Sequence, residues 1–152
     1  MTHATHPRYL DPDCPLTLGE GLAEFTASNP GLIPDDAPAI RELVRAHDAC
    51  HVLFGLTTSI EDEALADTWT VFGTSVTLRQ YSEYLKHEQF SGLIKEIGWR
   101  RMLTGSLRAI PRALRAIRRA RKMPEKWPFY DYARFLDTPI AALRQRFGVQ
   151  PV

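Results

Sequence analysis

The stretch from His47 to Glu63, which reads HDACHVLFGLTTSIEDE, predicts the end of one helix, a tight turn and the start of another. Gly55 favours the end of a helix, so the first helix is expected from Pro38 to Phe54, capped by Asp35 or Asp36. Apolar residues and both histidines recur here at spacings of three and four, as on one helix face: Ile40, Leu43, Val44, His47, Cys50, His51 and Phe54.

The turn after the first helix is short, which predicts how the two helices pack. Ser59 and Asp62 form an acidic variant of the capping box, and the second helix should run from about Ile60 to Phe72. Helices joined by such a turn pack antiparallel as a hairpin. Glu63, in the first turn of the second helix, is therefore expected beside His51.

The polar residues of this hairpin predict a metal site. His47 and His51 are four residues apart, so both imidazoles can reach one ion from a single helix face. Two imidazoles with one or two carboxylates suit Zn²⁺ or another divalent transition metal. Asp48 is rotated from His47 by about 100°, and could be a ligand or an acceptor for a histidine N–H. The alternative is a pair of buried, hydrogen-bonded histidines, with Cys50 as a small buried apolar residue.

The rest of the chain carries helical patterns and no strand pattern, which predicts an all-α fold. Residues 1–19 should form an irregular N-terminal arm on the surface, followed by a single multi-helix domain over residues 20–152. A break is expected at Gly105-Ser106, and an aromatic linker at residues 127–132. Further helices are expected over Leu18–Ala27, Val76–His87, Phe90–Leu103, Leu107–Met123 and Pro139–Phe147.

Charge divides the chain into an acidic and a basic part. Residues 1–98 hold fifteen acidic and six basic residues, whereas residues 99–126 hold one acidic and ten basic residues. The predicted helix 107–123 is therefore basic and amphipathic, with an apolar edge. It could be a solvated helix neutralised by the acidic part, a nucleic-acid-binding helix, or a helix lying on an anionic membrane surface. We favour the membrane and expect no nucleic acid, because no helix-turn-helix pattern or aromatic platform accompanies the charge.

At residues 47–63 the chain resembles the ubiquinone (coenzyme Q) biosynthesis protein Coq-four family. The zinc-binding signature of that family is HDxxH followed, after eleven residues, by Glu, and it stands here as His47, Asp48, His51 and Glu63. The turn GLTTS and the C-terminal FLDTPIAALRQRFGV are also similar, and the similarity covers about residues 20–149. The chain departs from the family at Thr57, where the family has Pro.

The resemblance implies a metal-dependent enzyme of ubiquinone biosynthesis. The expected reaction is that of a carboxy-lyase, which removes the ring carboxylate of a prenylated hydroxybenzoate and permits hydroxylation at that carbon. The four signature residues would bind the metal, and Asp48 or Glu63 would move a proton. The alternative is a non-catalytic lipid- or prenyl-binding scaffold that organises quinone-biosynthesis enzymes at the membrane, with a structural metal.

The resemblance also sets expectations for location and partners. A short chain without a leader is expected of a bacterial member, in the cytoplasm and peripheral to the inner membrane. The expected partners are a prenylated or lipid-like substrate, an anionic membrane surface and other quinone-biosynthesis proteins. Apolar helices of this kind could line a lipid tunnel or the interface of a homo-oligomer.

Overall fold

The computed structural model describes residues 6–30, 38–85 and 99–151, and these are mostly helical. Two isolated bridges, and no strand, occur in these ranges, so the all-α prediction is confirmed. Two 3-10 helices lie at Arg8–Leu10 and Phe129–Phe135. The α-helices are α1 (Leu18–Ser28), α2 (Pro38–Phe54), α3 (Ile60–Gly73), α4 (Leu78–Leu85), α5 (Trp99–Ala120) and α6 (Ile140–Phe147).

The hairpin of α2 and α3 follows the sequence prediction closely. Helix α2 has the predicted bounds and α3 is one residue longer than predicted. Gly55 takes a φ of 68° at the turn, a left-handed conformation that favours glycine. The side chain of Ser59 accepts a hydrogen bond from the backbone N–H of Asp62, so the predicted cap of α3 is confirmed. The predicted caps of α2, Asp35 and Asp36, lie outside the described residues.

Helix α5 corrects the prediction of a break at Gly105-Ser106. The helix continues through both residues, contains Pro111, and ends at Ala120 instead of Met123. A Cβ added to Gly105 would come within 2.5 Å of Ile60 Cγ2 on α3. Glycine at this position therefore permits a close helix–helix approach and does not end the helix. Where the side chains of α5 are described, at residue 100 and from residue 103 to 120, the buried ones are all small, namely Gly105, Ala109, Ala116 and Ala120.

The aromatic segment after α5 is also more ordered than predicted. In place of a linker, a 3-10 helix runs from Phe129 to Phe135 and buries three aromatic side chains. Trp127 is fully buried and contacts Phe135 and Phe147. Helix α4 begins at Leu78, two residues after the predicted start, and the predicted end at His87 lies outside the described residues, as does most of the helix predicted from Phe90.

The N-terminal arm joins the core through Arg144. Tyr9, Cys14 and Leu16 of the arm are buried, so this part of the arm does not lie on the surface as predicted. The buried Arg144 guanidinium donates hydrogen bonds to arm carbonyls, Tyr9 among them, and to the carbonyls of Val52 and Leu53 at the end of α2. It therefore ties the arm to the histidine-bearing helix.

No helix in the described ranges is long and apolar enough to cross a membrane.

Candidate metal centre

Helix α2 presents His47 and His51 on one buried face. Their rings pack edge to face with centroids 4.8 Å apart, as expected one turn apart on a helix. The exposed fraction is 8% for His47 and 1% for His51. Phe25 of α1 lies against the His51 ring, with 5.2 Å between centroids. Both imidazoles are therefore held in place by packing before any ligand binds.

Helix α3 brings two carboxylates to these histidines. His51 Nε2 lies 3.4 Å from Glu63 Oε2, as the hairpin predicted. His47 Nε2 lies 3.7 Å from Asp67 Oδ1. The later histidine, His51, thus faces the earlier carboxylate, Glu63, and the earlier histidine faces the later carboxylate. This crossed order is expected when two helices run antiparallel, and the two contacts lie one helical turn apart.

Three donor atoms converge closely enough to hold a metal ion. One ligand atom each from His47, His51 and Glu63 lies within 4.8 Å of the other two. Donor atoms bound to one tetrahedral zinc at about 2.0–2.1 Å lie about 3.3 Å apart, close to the 3.4 Å between His51 and Glu63. The three residues therefore could hold a divalent ion, and two imidazoles with a carboxylate suit zinc.

His51 is also unsatisfied at the ring nitrogen that does not face Glu63. Its Nδ1 is buried and has no hydrogen-bond partner among the described residues, although buried polar atoms are nearly always paired. The nearby carboxylates also act on His47: burial would lower the pKa of that imidazole, but Asp67, Glu63 and Asp48 outweigh it and raise the pKa. The centre attracts positive charge.

Asp48 is buried beside the histidines but is not one of the three converging residues. Burial raises the pKa of its carboxyl group to about 6, and the negative charge of Glu63 acts in the same direction, while His47, His51 and Arg45 oppose it. Its predicted role as a metal ligand or a proton carrier stays a prediction.

Asp67 and Tyr81 belong to the surroundings of the centre and were absent from the predicted set. The Tyr81 hydroxyl of α4 donates a hydrogen bond to Asp67 Oδ1, the atom that faces His47. A signal for Asp67 exists in the sequence, because it follows Glu63 by four residues, just as His51 follows His47. Two such pairs on antiparallel helices meet side by side.

Cys50 takes the place expected of a small apolar residue. It is fully buried, and burial raises the pKa of its thiol to about 12 although a contact with Thr70 lowers it. A thiol with such a pKa stays protonated at neutral pH and is a poor metal ligand.

A row of exposed apolar residues lies on α5, on the face that does not carry its small buried residues. The row comprises Leu103, Leu107, Ile110 and Leu114. These residues are spaced by three or four positions, so they share one helix face, and arginines flank them along the helix. The apolar edge of the predicted basic helix is thus exposed from Leu107 to Leu114, whereas Met123, the last residue of that predicted helix, is buried and lies beyond the end of α5.

Comparisons with protein-family models, curated proteins and solved structures found no match to this chain.

Proposed function

We propose that this protein is a metal-dependent carboxy-lyase of ubiquinone biosynthesis, with its centre at His47, His51 and Glu63. The observation that supports it is the convergence of two buried histidines of α2 with the partly exposed Glu63 of α3. The substrate class comes from the resemblance to the Coq-four family. The donor set supports the kind of reaction, because three protein ligands leave a fourth position for a substrate oxygen.

The chain's own groups suit the removal of a ring carboxylate. A bound divalent ion would polarise a carboxylate or phenolate oxygen and stabilise developing negative charge. As the carbon–carbon bond to the carboxylate breaks, carbon dioxide leaves and the electron pair stays on the ring carbon, which then takes a proton. Asp48, buried beside the histidines, is the proposed source of that proton. Glu63 is proposed as a ligand. Hydroxylation at the same carbon would need dioxygen and a further partner.

The test is release of carbon dioxide from a short-chain prenylated hydroxybenzoate, followed with zinc-loaded protein by mass spectrometry of the ring product. We expect His51→Ala to abolish the product and Asp48→Asn to reduce it roughly 10²-fold or more. His6→Ala, a change at an exposed histidine, is the matched control and should retain full activity. Product from His51→Ala at the wild-type rate would contradict the proposal.

A second proposed function is that of a lipid- or prenyl-binding scaffold at an anionic membrane, supported by the exposed apolar row on α5. Exposed leucines flanked by arginines suit an interface where apolar side chains enter the acyl boundary and guanidinium groups meet phosphates. Wild-type protein should sediment with vesicles that contain phosphatidylglycerol, and less with neutral vesicles. The double change Leu107→Ser with Leu114→Ser should weaken vesicle binding, whereas Leu78→Ser, at a still more exposed leucine of α4, should not. Equal binding by all variants would exclude α5 as the membrane contact.

The two functions differ in what the metal does. If the protein is an enzyme, His51→Ala stops product formation and leaves vesicle binding unchanged. If it is a scaffold with a structural metal, the wild type forms no product, and the same change unfolds the hairpin and abolishes vesicle binding.

A further inference from the structure

We propose that Asp67, held by Tyr81, is a positioning residue that orients the His47 imidazole in the metal centre. The inference rests on the proposed metal centre and adds two residues that neither the signature nor the group of three converging atoms contains. Asp67 lies on α3, one turn after Glu63, and Tyr81 lies on α4.

The contacts form a short chain that ends at a proposed ligand. Tyr81 is buried, and its hydroxyl donates to Asp67 Oδ1. The same oxygen lies 3.7 Å from His47 Nε2. Histidine ligands commonly have an outer carboxylate that fixes the ring orientation and raises the basicity of the imidazole, and its loss weakens metal binding. Asp67 faces Nε2 of His47, so in this arrangement Nδ1 is the His47 nitrogen that would bind the metal, and Asp67 is its outer carboxylate.

Asp67 differs from Glu63 in its surroundings. Glu63 belongs to the three residues whose ligand atoms converge, whereas Asp67 does not, so Asp67 acts through His47 in this account. Its side chain is about half exposed, at 48%. An exposed carboxylate is free to adopt many rotamers, and the bond from Tyr81 restricts it to the side of the ring. This gives Tyr81 a role that core packing alone would not require.

The test is zinc affinity of the full chain, measured by competition with a chromophoric chelator, together with the visible spectrum of the Co²⁺-loaded protein. Asp67→Asn should weaken zinc binding roughly 10- to 100-fold and change the Co²⁺ bands, because the His47 ring shifts. Tyr81→Phe should weaken zinc binding roughly fivefold, the equivalent of about one net hydrogen bond. The double variant should bind about as weakly as Asp67→Asn alone, since Tyr81 acts through Asp67.

Glu61→Gln is the matched control, because it removes one negative charge from the same helix. It should bind zinc within about twofold of wild type, since Glu61 is only part-buried and solvent screens its charge. If Asp67→Asn fails to fold, the zinc affinity of Tyr81→Phe alone tests the inference: a roughly fivefold loss supports it and wild-type affinity overturns it.

Three outcomes would overturn the inference. Wild-type affinity and an unchanged Co²⁺ spectrum in Asp67→Asn would overturn it while leaving the proposed metal centre intact. An equal loss of zinc affinity in Glu61→Gln would show that the effect comes from the overall negative charge of α3 and not from a contact of Asp67 with His47. No zinc binding by the wild-type protein would overturn both the centre and the inference.

Discussion

Replacing Asp62 with alanine should destabilise the hairpin that carries the proposed centre. The Asp62 carboxylate accepts hydrogen bonds from the backbone N–H of Thr57 at 2.9 Å, from the Thr57 hydroxyl at 2.6 Å and from Arg112 Nη1 at 2.7 Å. It therefore joins the turn, the start of α3 and α5, immediately before Glu63. Removing it leaves three donors without this acceptor.

The size of the effect follows from those three bonds. A net hydrogen bond contributes about 1 kcal/mol, and a bond to a charged group about 1.5–3 kcal/mol. The Arg112 side chain is 33% exposed, so solvent partly screens its ion pair, and each of the three bonds is counted at about 1 kcal/mol. The sum is about 3 kcal/mol at neutral pH, which lowers the melting temperature by about 6–12 °C for a domain of this size.

The loss should also depend on pH. Burial alone would raise the pKa of Asp62, but hydrogen bonds from Thr57 and the Arg112 charge outweigh it and lower the pKa below 3.8. A carboxylate with a lowered folded-state pKa stabilises the fold above its unfolded-state pKa, and this stabilisation is lost as the pH falls through the folded-state value. The difference between wild type and Asp62→Ala should therefore shrink below about pH 4.

Urea unfolding followed by far-ultraviolet circular dichroism measures the loss of unfolding free energy and its dependence on pH. Glu61→Ala, a change to the neighbouring acidic residue in the first turn of α3, is the control and should cost less than about 1 kcal/mol. A difference below about 1 kcal/mol at pH 7 for Asp62→Ala, or one unchanged from pH 7 to pH 3, would refute the reasoning.

Two further predictions concern packing and buried charge. Gly105→Val should destabilise the fold by about 2 kcal/mol, because Ile60 occupies the space of the new side chain. The control Ser106→Val, at an exposed neighbour, should cost less than about 1 kcal/mol. Equal melting temperatures of the two variants would contradict the close packing of Gly105 against Ile60. Arg144→Met should cost about 3 kcal/mol or more, since the buried carbonyls of Tyr9, Val52 and Leu53 lose their donor; Arg144→Lys should recover only part of it, because an ammonium group cannot reproduce the guanidinium fork. Denaturation with wild-type stability in Arg144→Met would show that water replaces the guanidinium.

The hairpin could be predicted from sequence because its signals are local. Apolar spacing, Gly55, and Ser59 with Asp62 each act within a few residues, and together they fix α2, the turn and the start of α3. The pairing of His51 with Glu63 then follows from the short turn. One helical turn further along α3, the same short turn places Asp67 beside His47, beyond the end of the signature pattern at Glu63.

The errors lie where tertiary contact overrides local preference. Gly105 resembles a helix break in sequence, but its lack of a side chain lets α5 approach Ile60. In the same way, Trp127 and Phe129 look like residues of a linker, yet they are buried against other aromatic rings. The N-terminal arm is bound to the core by Arg144, more than a hundred positions away in sequence. No local sequence pattern predicts such a contact.

Elemental analysis of the protein purified without a histidine tag tests the central claim most directly. We expect about one zinc or other divalent transition metal per chain in the wild type, as in a site with two histidine ligands and a carboxylate. We expect the same content in His6→Ala and almost none in His47→Ala. The absence of metal from the wild-type protein, also after dialysis against zinc, would contradict the account and leave His47 and His51 as residues of the packed core.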